Sequence, residues 1–429
     1  MYRLTVSLCP SLHAKHHPMA RLRDILEPST SNDWSFMRFV HTSDLHLGRK
    51  LSQIPLLSDT EYLLEQLGEL VERSAAKALV VAGDVFDSPN PAEAAVRQWD
   101  RFITRMAQLE VPVLVVSGNH DSGARISMGS NLMALSGIYV AGELREELSP
   151  IEIEGVNFWL VPFVRPADVR AWATRMDLDA GLVINYDTAL RMVLDHIRSL
   201  PAFKERPNVC VAHQFVTNAG LSPERSDSEH LSLGTLDNVD CRAFEGFDYV
   251  ALGHIHRPQR IGRDEIRYAG SPLKLSSSEI EQKKSFVVVG ITQKEEGVRV
   301  KFRLVPVEPL RDFRMERGSV EDLVNLAKQE DDKTRLDFVH AVVTDDDPID
   351  VVARLRKVWP NLEQVSFDNA ITRAAGAEDV HSEVDLSKDV VDLFREFFEA
   401  QTGKPLAEDE EKLVNEAFEK VLSREGDLA

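Results

Sequence analysis

The sequence predicts an α/β protein with a layered core. Three observations predict it. Short runs that are apolar throughout recur along the chain, as strands covered on both faces require. Helical patterns fill the gaps between the first of these runs. Polar motifs, most of them glycine-containing, follow several of them, at the strand ends where open α/β sheets hold ligands. The 429 residues allow two to three domains at about 150 residues each. With 43% apolar and 28% charged residues, the composition excludes a collagen, a low-complexity chain and a disordered polymer. No apolar run approaches the roughly eighteen residues of a membrane span. Cys9, Cys210 and Cys241, an odd number without C-x-x-C spacing, exclude a disulfide scaffold or thiolate zinc site and fit a reducing interior.

In chain order, residues 1–36 come first. They lack apolar periodicity, and Ser7 and Pro10 break the only candidate secretory core. They are expected to be a disordered leader or an over-extended start. Strand-like runs then fall at 38–42, 78–82, 111–117, 137–140, 151–153, 156–161, 209–212, 249–252 and 286–291, with helical patterns at 60–76 and 92–109. Together these make a main domain over 37–309. A small domain over 310–375 reads as strand, helix, strand at 338–343, 348–358 and 364–367. Residues 376–387 are polar and acidic, a linker. Residues 388–429 hold two amphipathic helices parted at Gly403-Lys404-Pro405.

The chemistry sits at the strand ends. Asp44-Leu45-His46, Gly83-Asp84, Gly118-Asn119-His120-Asp121 and Gly253-His254-Ile255-His256 each follow an expected strand, and His213 follows a fifth. Hard oxygen and borderline nitrogen donors together suit Mn²⁺, Fe or Zn²⁺. The set exceeds what one ion needs, so two ions about 3.5–4 Å apart, bridged by a carboxylate, are expected. In Asp44-x-His46 and His254-x-His256 the spacing of two places both side chains on one side of an extended chain. His41 lies within the first strand and reads as core or as a support to the site.

The ordered set D-x-H…G-D…G-N-H-D…H…G-H-x-H resembles the calcineurin-like metallophosphoesterases. Longer segments are similar to the SbcD family of nuclease subunits: His41-Thr42-Ser43-Asp44-Leu45-His46-Leu47-Gly48, Gly83-Asp84-Val85-Phe86-Asp87, Ala212-His213-Gln214-Phe215-Val216, and Tyr268-Ala269-Gly270-Ser271-Pro272-Leu273-Lys274-Leu275-Ser276. Ser277 stands where that family's motif leads us to expect an aromatic.

The resemblance implies a four-layer β-sandwich flanked by helices, with a small α+β capping domain over 310–375 and C-terminal helices. It implies that Asp44, His46 and His256 hold one ion, that Asn119, His213 and His254 hold the other, and that Asp84 bridges them. The ions are expected to be Mn²⁺. His120 would face the scissile phosphate and protonate the leaving oxygen, a contribution of about 10²–10⁴-fold. Asp121 would orient His120 or cap a turn, and Asp87 would assist from behind. Arg49, Lys50 and Arg125 are either solvated surface or contacts to the DNA backbone, which position without reading sequence.

The apolar positions Phe394, Phe397 and Phe398, and Val414, Phe418 and Val421, recur at helical spacing. Such helices pack on their own domain or fill a partner's groove. In the family this region docks on an SbcC-type SMC-like ATPase, within a heterotetramer built on a homodimer; 56–70 and 92–109 are candidate dimer faces. The expected activity is a metal-dependent DNA nuclease, a 3′→5′ exonuclease and an endonuclease at ends and hairpins. It would serve DNA repair and recombination in the bacterial cytoplasm, on the nucleoid and not on a membrane. The alternative is another calcineurin-like phosphoesterase acting on nucleotides or phosphoproteins. A non-catalytic scaffold would have lost a ligand, and none is missing. Charge points to the partner as well. The net charge is −20, and residues 311–429 alone carry 16 basic against 30 acidic side chains. A basic DNA surface is therefore expected largely from the ATPase.

Overall fold

The computed structural model describes residues 37–229, 238–295, 297–346 and 349–369, and beyond them Arg395, Phe398, Glu411 and Val414. The expected leader and linker, and Phe394, Phe397, Phe418 and Val421, lie outside the described residues. The chain forms two compact units. Among the described residues the first runs from Met37 to Met315 and takes in Asp332–Val339, and the second comprises Glu316–Asp331 and residues 340–369.

The first unit holds two six-stranded sheets. One contains β1 (Met37–Thr42), β2 (Ala78–Ala82), β3 (Val113–Val116), β4 (Ile138–Ala141), β11 (Ser285–Lys294) and β12 (Gly297–Pro306), in the order β12-β11-β1-β2-β3-β4. The other contains β5 (Ile151–Ile153), β6 (Val156–Val161), β7 (Asn208–His213), β8 (Tyr249–Gly253), β9 (Gln259–Ile261) and β10 (Arg263–Tyr268), in the order β9-β10-β8-β7-β6-β5. Strands β1, β2 and β3 run parallel, and so do β7 and β8. Their carboxyl ends carry the five motifs.

Each central strand is apolar on both faces because each face meets a different layer. Phe39, Val80, Leu114, Phe158, Val209 and Tyr249 fill the space between the sheets. There Phe39 meets Phe158 and Tyr249 edge-on, with ring centroids 5.2 and 5.7 Å apart. On the other face of the first sheet, Val40, Leu79, Val81 and Val115 pack with Leu63, Leu67 and Val71 of α1 (Leu57–Arg73) and with Trp99, Phe102 and Met106 of α2 (Glu93–Gln108). On the far face of the second sheet, Val161, Ala212, Val250 and Leu252 pack with Trp172 of α3 (Pro166–Arg175) and with Leu190, Val193 and Ile197 of α4 (Tyr186–Ser199). The result is the expected four-layer order of helix, sheet, sheet, helix.

The second unit is smaller and mixes helix and strand. It holds α5 (Val320–Gln329), α6 (Val351–Arg356) and β15 (Leu362–Phe367). The strands β13 (Phe313–Gly318) and β14 (Phe338–Val343) each pass from one unit into the other. No helix among the described residues is long and apolar enough to cross a membrane.

Candidate metal centre

Beyond β1 the chain does not continue extended, as the spacing of two in Asp44-x-His46 predicts. Asp44 and His46 take left-handed backbone, with φ of +52° and +43°. The cause is a crosslink. The Asp44 amide donates to the Gly83 carbonyl at 3.0 Å and the His46 amide to the Asp84 carbonyl at 3.1 Å. Asp84 itself stands at φ +48° and His254 at +108°. Left-handed backbone is costly for non-glycine residues and persists only where the surroundings impose it. Two glycines make room: a Cβ on Gly83 would strike the His213 ring, and one on Gly118 would strike the Asp84 carboxyl.

The side chains of Asp44, His46, Asp84, His213, His254 and His256 are buried at these strand ends. Donor atoms of Asp44, His46 and His256 lie within 4.8 Å of one another, as do those of Asp44, Asp84 and His213, and those of His46, Asp84 and His120. Asn119 completes the other side: its Oδ1 is 3.0 Å from His213 Nε2 and 2.8 Å from His254 Nδ1. Asp84 lies between the two groups, with Oδ2 3.3 Å from His213 Nε2 and 3.7 Å from His46 Nε2. Its Oδ1 accepts the His120 amide at 2.9 Å.

The hydrogen bonds behind the rings fix their protons. His213 Nδ1–H donates to the Ala82 carbonyl at 2.8 Å. His46 Nδ1–H donates to Asp87 Oδ1 at 3.2 Å. His256 Nδ1 lies 2.8 Å from Ser228 Oγ and 3.2 Å from Glu279 Oε1. Each Nε2 therefore points inward, and His46 Nε2 and His256 Nε2 face each other at 3.2 Å. Two such nitrogens this close need a proton or a metal cation between them, and the buried carboxylates around them favour positive charge there. Charge balance says the same. Burial works against charge on His213, yet the Asp84 carboxylate outweighs it and lifts the imidazole to about 9. Burial likewise works against the charged form of Asp84, yet His213, His46 and His120 hold its carboxyl well below the usual range. This donor set fits hard to borderline divalent cations.

His120 is oriented by Asp87. Its Nδ1–H donates to the Asp87 carbonyl at 3.0 Å, so proton exchange falls to Nε2. Asp121 serves the loops: its carboxyl accepts the amides of Val85 at 3.1 Å, Phe86 at 3.0 Å and Gly118 at 2.9 Å. It thus ties the Asp84 loop to the Asn119 loop. Arg49 pairs with Asp87 at 3.1 Å, beside the cluster. Lys50 is exposed. Arg125 is exposed and donates to the Pro89 carbonyl at 2.5 Å. His41 lies buried between the Tyr249 hydroxyl and the Leu252 carbonyl, in the core. A cleft of about 360 Å³ opens beside Asn119, lined also by Phe163, Arg165 and Asp168. Phe398 and Val414 are half-buried helical positions.

Sequence reasoning missed Ser228, Glu229, Glu279 and Lys284, which surround His256. An isolated glutamate and lysine in a polar stretch carry no mark of burial, and only folding brings them behind a histidine.

Comparison with known proteins adds the family. Residues 37–258 match the family described as calcineurin-like phosphoesterase. Residues 309–402 match one described as type 5 capsule protein repressor C-terminal domain. The SbcD subunit of the SbcCD nuclease of Staphylococcus epidermidis is 29% identical over 397 residues, covering 91% of this chain and 100% of the relative. That of Staphylococcus saprophyticus is 28% identical over 395 residues, covering 90% and 99%. Among solved structures, a dimetal phosphatase from Danio rerio is similar at a TM-score of 0.37 and 15% identity, covering 64% of this chain and 99% of that one.

Proposed function

The chain belongs to the calcineurin-like phosphoesterase family, and from that premise we propose that it is a DNA-cutting phosphodiester hydrolase, the nuclease subunit of a complex with an SbcC-type SMC-like ATPase. The observation that carries this reading is the inward-facing set of buried carboxylates, amide oxygen and imidazole nitrogens around Asp84. In this reading Asp44, His46 and His256 hold one divalent cation, Asn119, His213 and His254 hold the second, and Asp84 bridges. The cations are Mn²⁺. When bound, they supply Lewis acidity toward the phosphate and a water of lowered pKa.

The chain's own groups do the rest. The Asn119 amide donates its oxygen without adding negative charge, so an anionic phosphate can approach. His120, held at Nδ1 by the Asp87 carbonyl, presents Nε2 to the leaving oxygen. A phosphate arriving beside the ring favours its protonated form, which can then donate that proton. Arg49, Lys50 and Arg125, near the mouth, contact the DNA backbone and position it.

The activity we propose is 3′→5′ exonuclease and endonuclease cleavage at DNA ends and hairpins, in repair and recombination, in the bacterial cytoplasm. The assembly is a homodimer within a heterotetramer. Val96 of α2 and, between β3 and β4, Met128, Leu132 and Leu135 are exposed apolar side chains that suit a self-association face.

The test is cleavage of duplex-end and hairpin DNA by the purified chain with manganese(II) and its ATPase partner. His120→Ala should cut about 10²–10⁴-fold more slowly while binding manganese as before. Intact DNA with both proteins, or equal rates, would refute the reading. Faster hydrolysis of a cyclic nucleotide or phosphopeptide than of DNA would favour a small-substrate phosphoesterase instead.

A further inference from the structure

A buried polar network outside the cluster stands behind His256. Glu279 is 0% exposed, Ser228 6% and Lys284 8%. We propose that Ser228, Glu279 and Lys284 are positioning residues that fix the His256 imidazole for the cation it shares with Asp44 and His46, an inference that rests on the metal-centre reading above.

The chain of bonds runs one way. The Ser228 hydroxyl donates to Glu279 Oε1, so Ser228 Oγ must accept from His256 Nδ1–H at 2.8 Å. That leaves the lone pair on Nε2, aimed at the cluster. Glu279 Oε2 accepts from Lys284 Nζ at 2.5 Å, from the Leu275 amide at 3.2 Å and from Ser271 Oγ at 3.3 Å. Lys284 Nζ also donates to the His256 carbonyl at 2.9 Å. The ammonium that keeps the carboxylate charged thus also anchors the histidine's main chain. From the other side, Glu229 Oε1 accepts the His256 amide at 2.8 Å.

A buried ion pair adds little to stability compared with an apolar pair of the same volume. An apolar pair here would fill the space but leave the tautomer and rotation of His256 unset. Partners of this kind behind a metal-binding histidine commonly control affinity by about 10–100-fold.

Manganese(II) titration of the metal-stripped full-length chain tests this, with ions counted by calorimetry and their spin coupling read by electron paramagnetic resonance. The variants are Ser228→Ala, Glu279→Gln and the double Glu279→Gln/Lys284→Met, which removes both charges together. The native chain should bind two ions. In the variants one ion should weaken about 10–100-fold, the other should hold, and the melting temperature in EDTA of Ser228→Ala should match the native one. Two ions at native affinity in folded Ser228→Ala and in the double variant would overturn the positioning role and leave the metal centre standing. A native chain that binds no ion pair would overturn both. Should Glu279→Gln fail to fold, Ser228→Ala decides alone.

Discussion

Asp44, His46, Asp84 and His254 stand on left-handed backbone, and their amides or carbonyls are tied across the strand ends rather than along their own strands. The identities of these residues were legible because few chemistries place Asp-x-His and His-x-His after apolar runs. The backbone of Asp44 and His46 was not, because their turn is imposed by contacts to Gly83 and Asp84, about forty residues away in the chain. His41 shows the opposite case, a histidine near the motifs that serves the core. Burial, only partly offset by its bond to the Leu252 carbonyl, lowers its pKa to about 3. The unfolded value is near 6.5. Between these values the unfolded chain takes up a proton that the native chain refuses, so stability falls as pH drops through this window. The loss attributable to His41 from pH 7 to pH 5 is about 2 kcal/mol. Urea unfolding in EDTA should therefore show the stability gap between the native chain and His41→Gln shrinking by that amount over this range. A gap independent of pH would refute the assignment.

Strands were the most legible elements. β2 is buried at all five positions, and its sequence Ala-Leu-Val-Val-Ala has no polar residue. Its alternate side chains enter two different cores, so the whole run must be apolar. Helices α3 and α4 left weaker traces in the sequence, where helical patterns stand out only between the first three strands. The loops after the strands depend on glycine in a way that can be measured. Gly83 has φ +88°, and an added Cβ would overlap the His213 ring. Gly155 has a similar φ of +73°, but a Cβ there meets nothing within 4 Å. Gly155→Ala should cost only left-handed strain, about 1–2 kcal/mol, and leave manganese binding unchanged. Gly83→Ala bears the same strain and must also displace His213, so it should lose more stability and bind manganese weakly. Equal melting temperatures and equal manganese isotherms for the two variants would show that the His213 ring has room to move.

The acidity of the chain sets a problem that the nuclease fold does not solve by itself. Net charge is −20, and residues 311–429 carry the greater part of the excess, whereas binding to DNA rewards clustered cations through counterion release. The division of labour proposed above would resolve it: this chain would bring the cation pair, and the ATPase the basic surface. The helices expected from the sequence at the C-terminus would then be the tether, with the apolar positions recurring at 390–398 and 413–422 filling a groove on the partner. That reading separates two properties that a purely structural tail would keep together. Deleting 388–429 should abolish co-purification with the ATPase and cleavage of duplex ends that depends on it. Manganese-dependent cleavage of a short single-stranded oligonucleotide should persist, because no proposed ligand lies beyond His256. If the truncated chain still co-purifies with the ATPase, the tether lies elsewhere. If it loses cleavage of the oligonucleotide while still binding two manganese ions, the tail packs on the nuclease domain and shapes its substrate path.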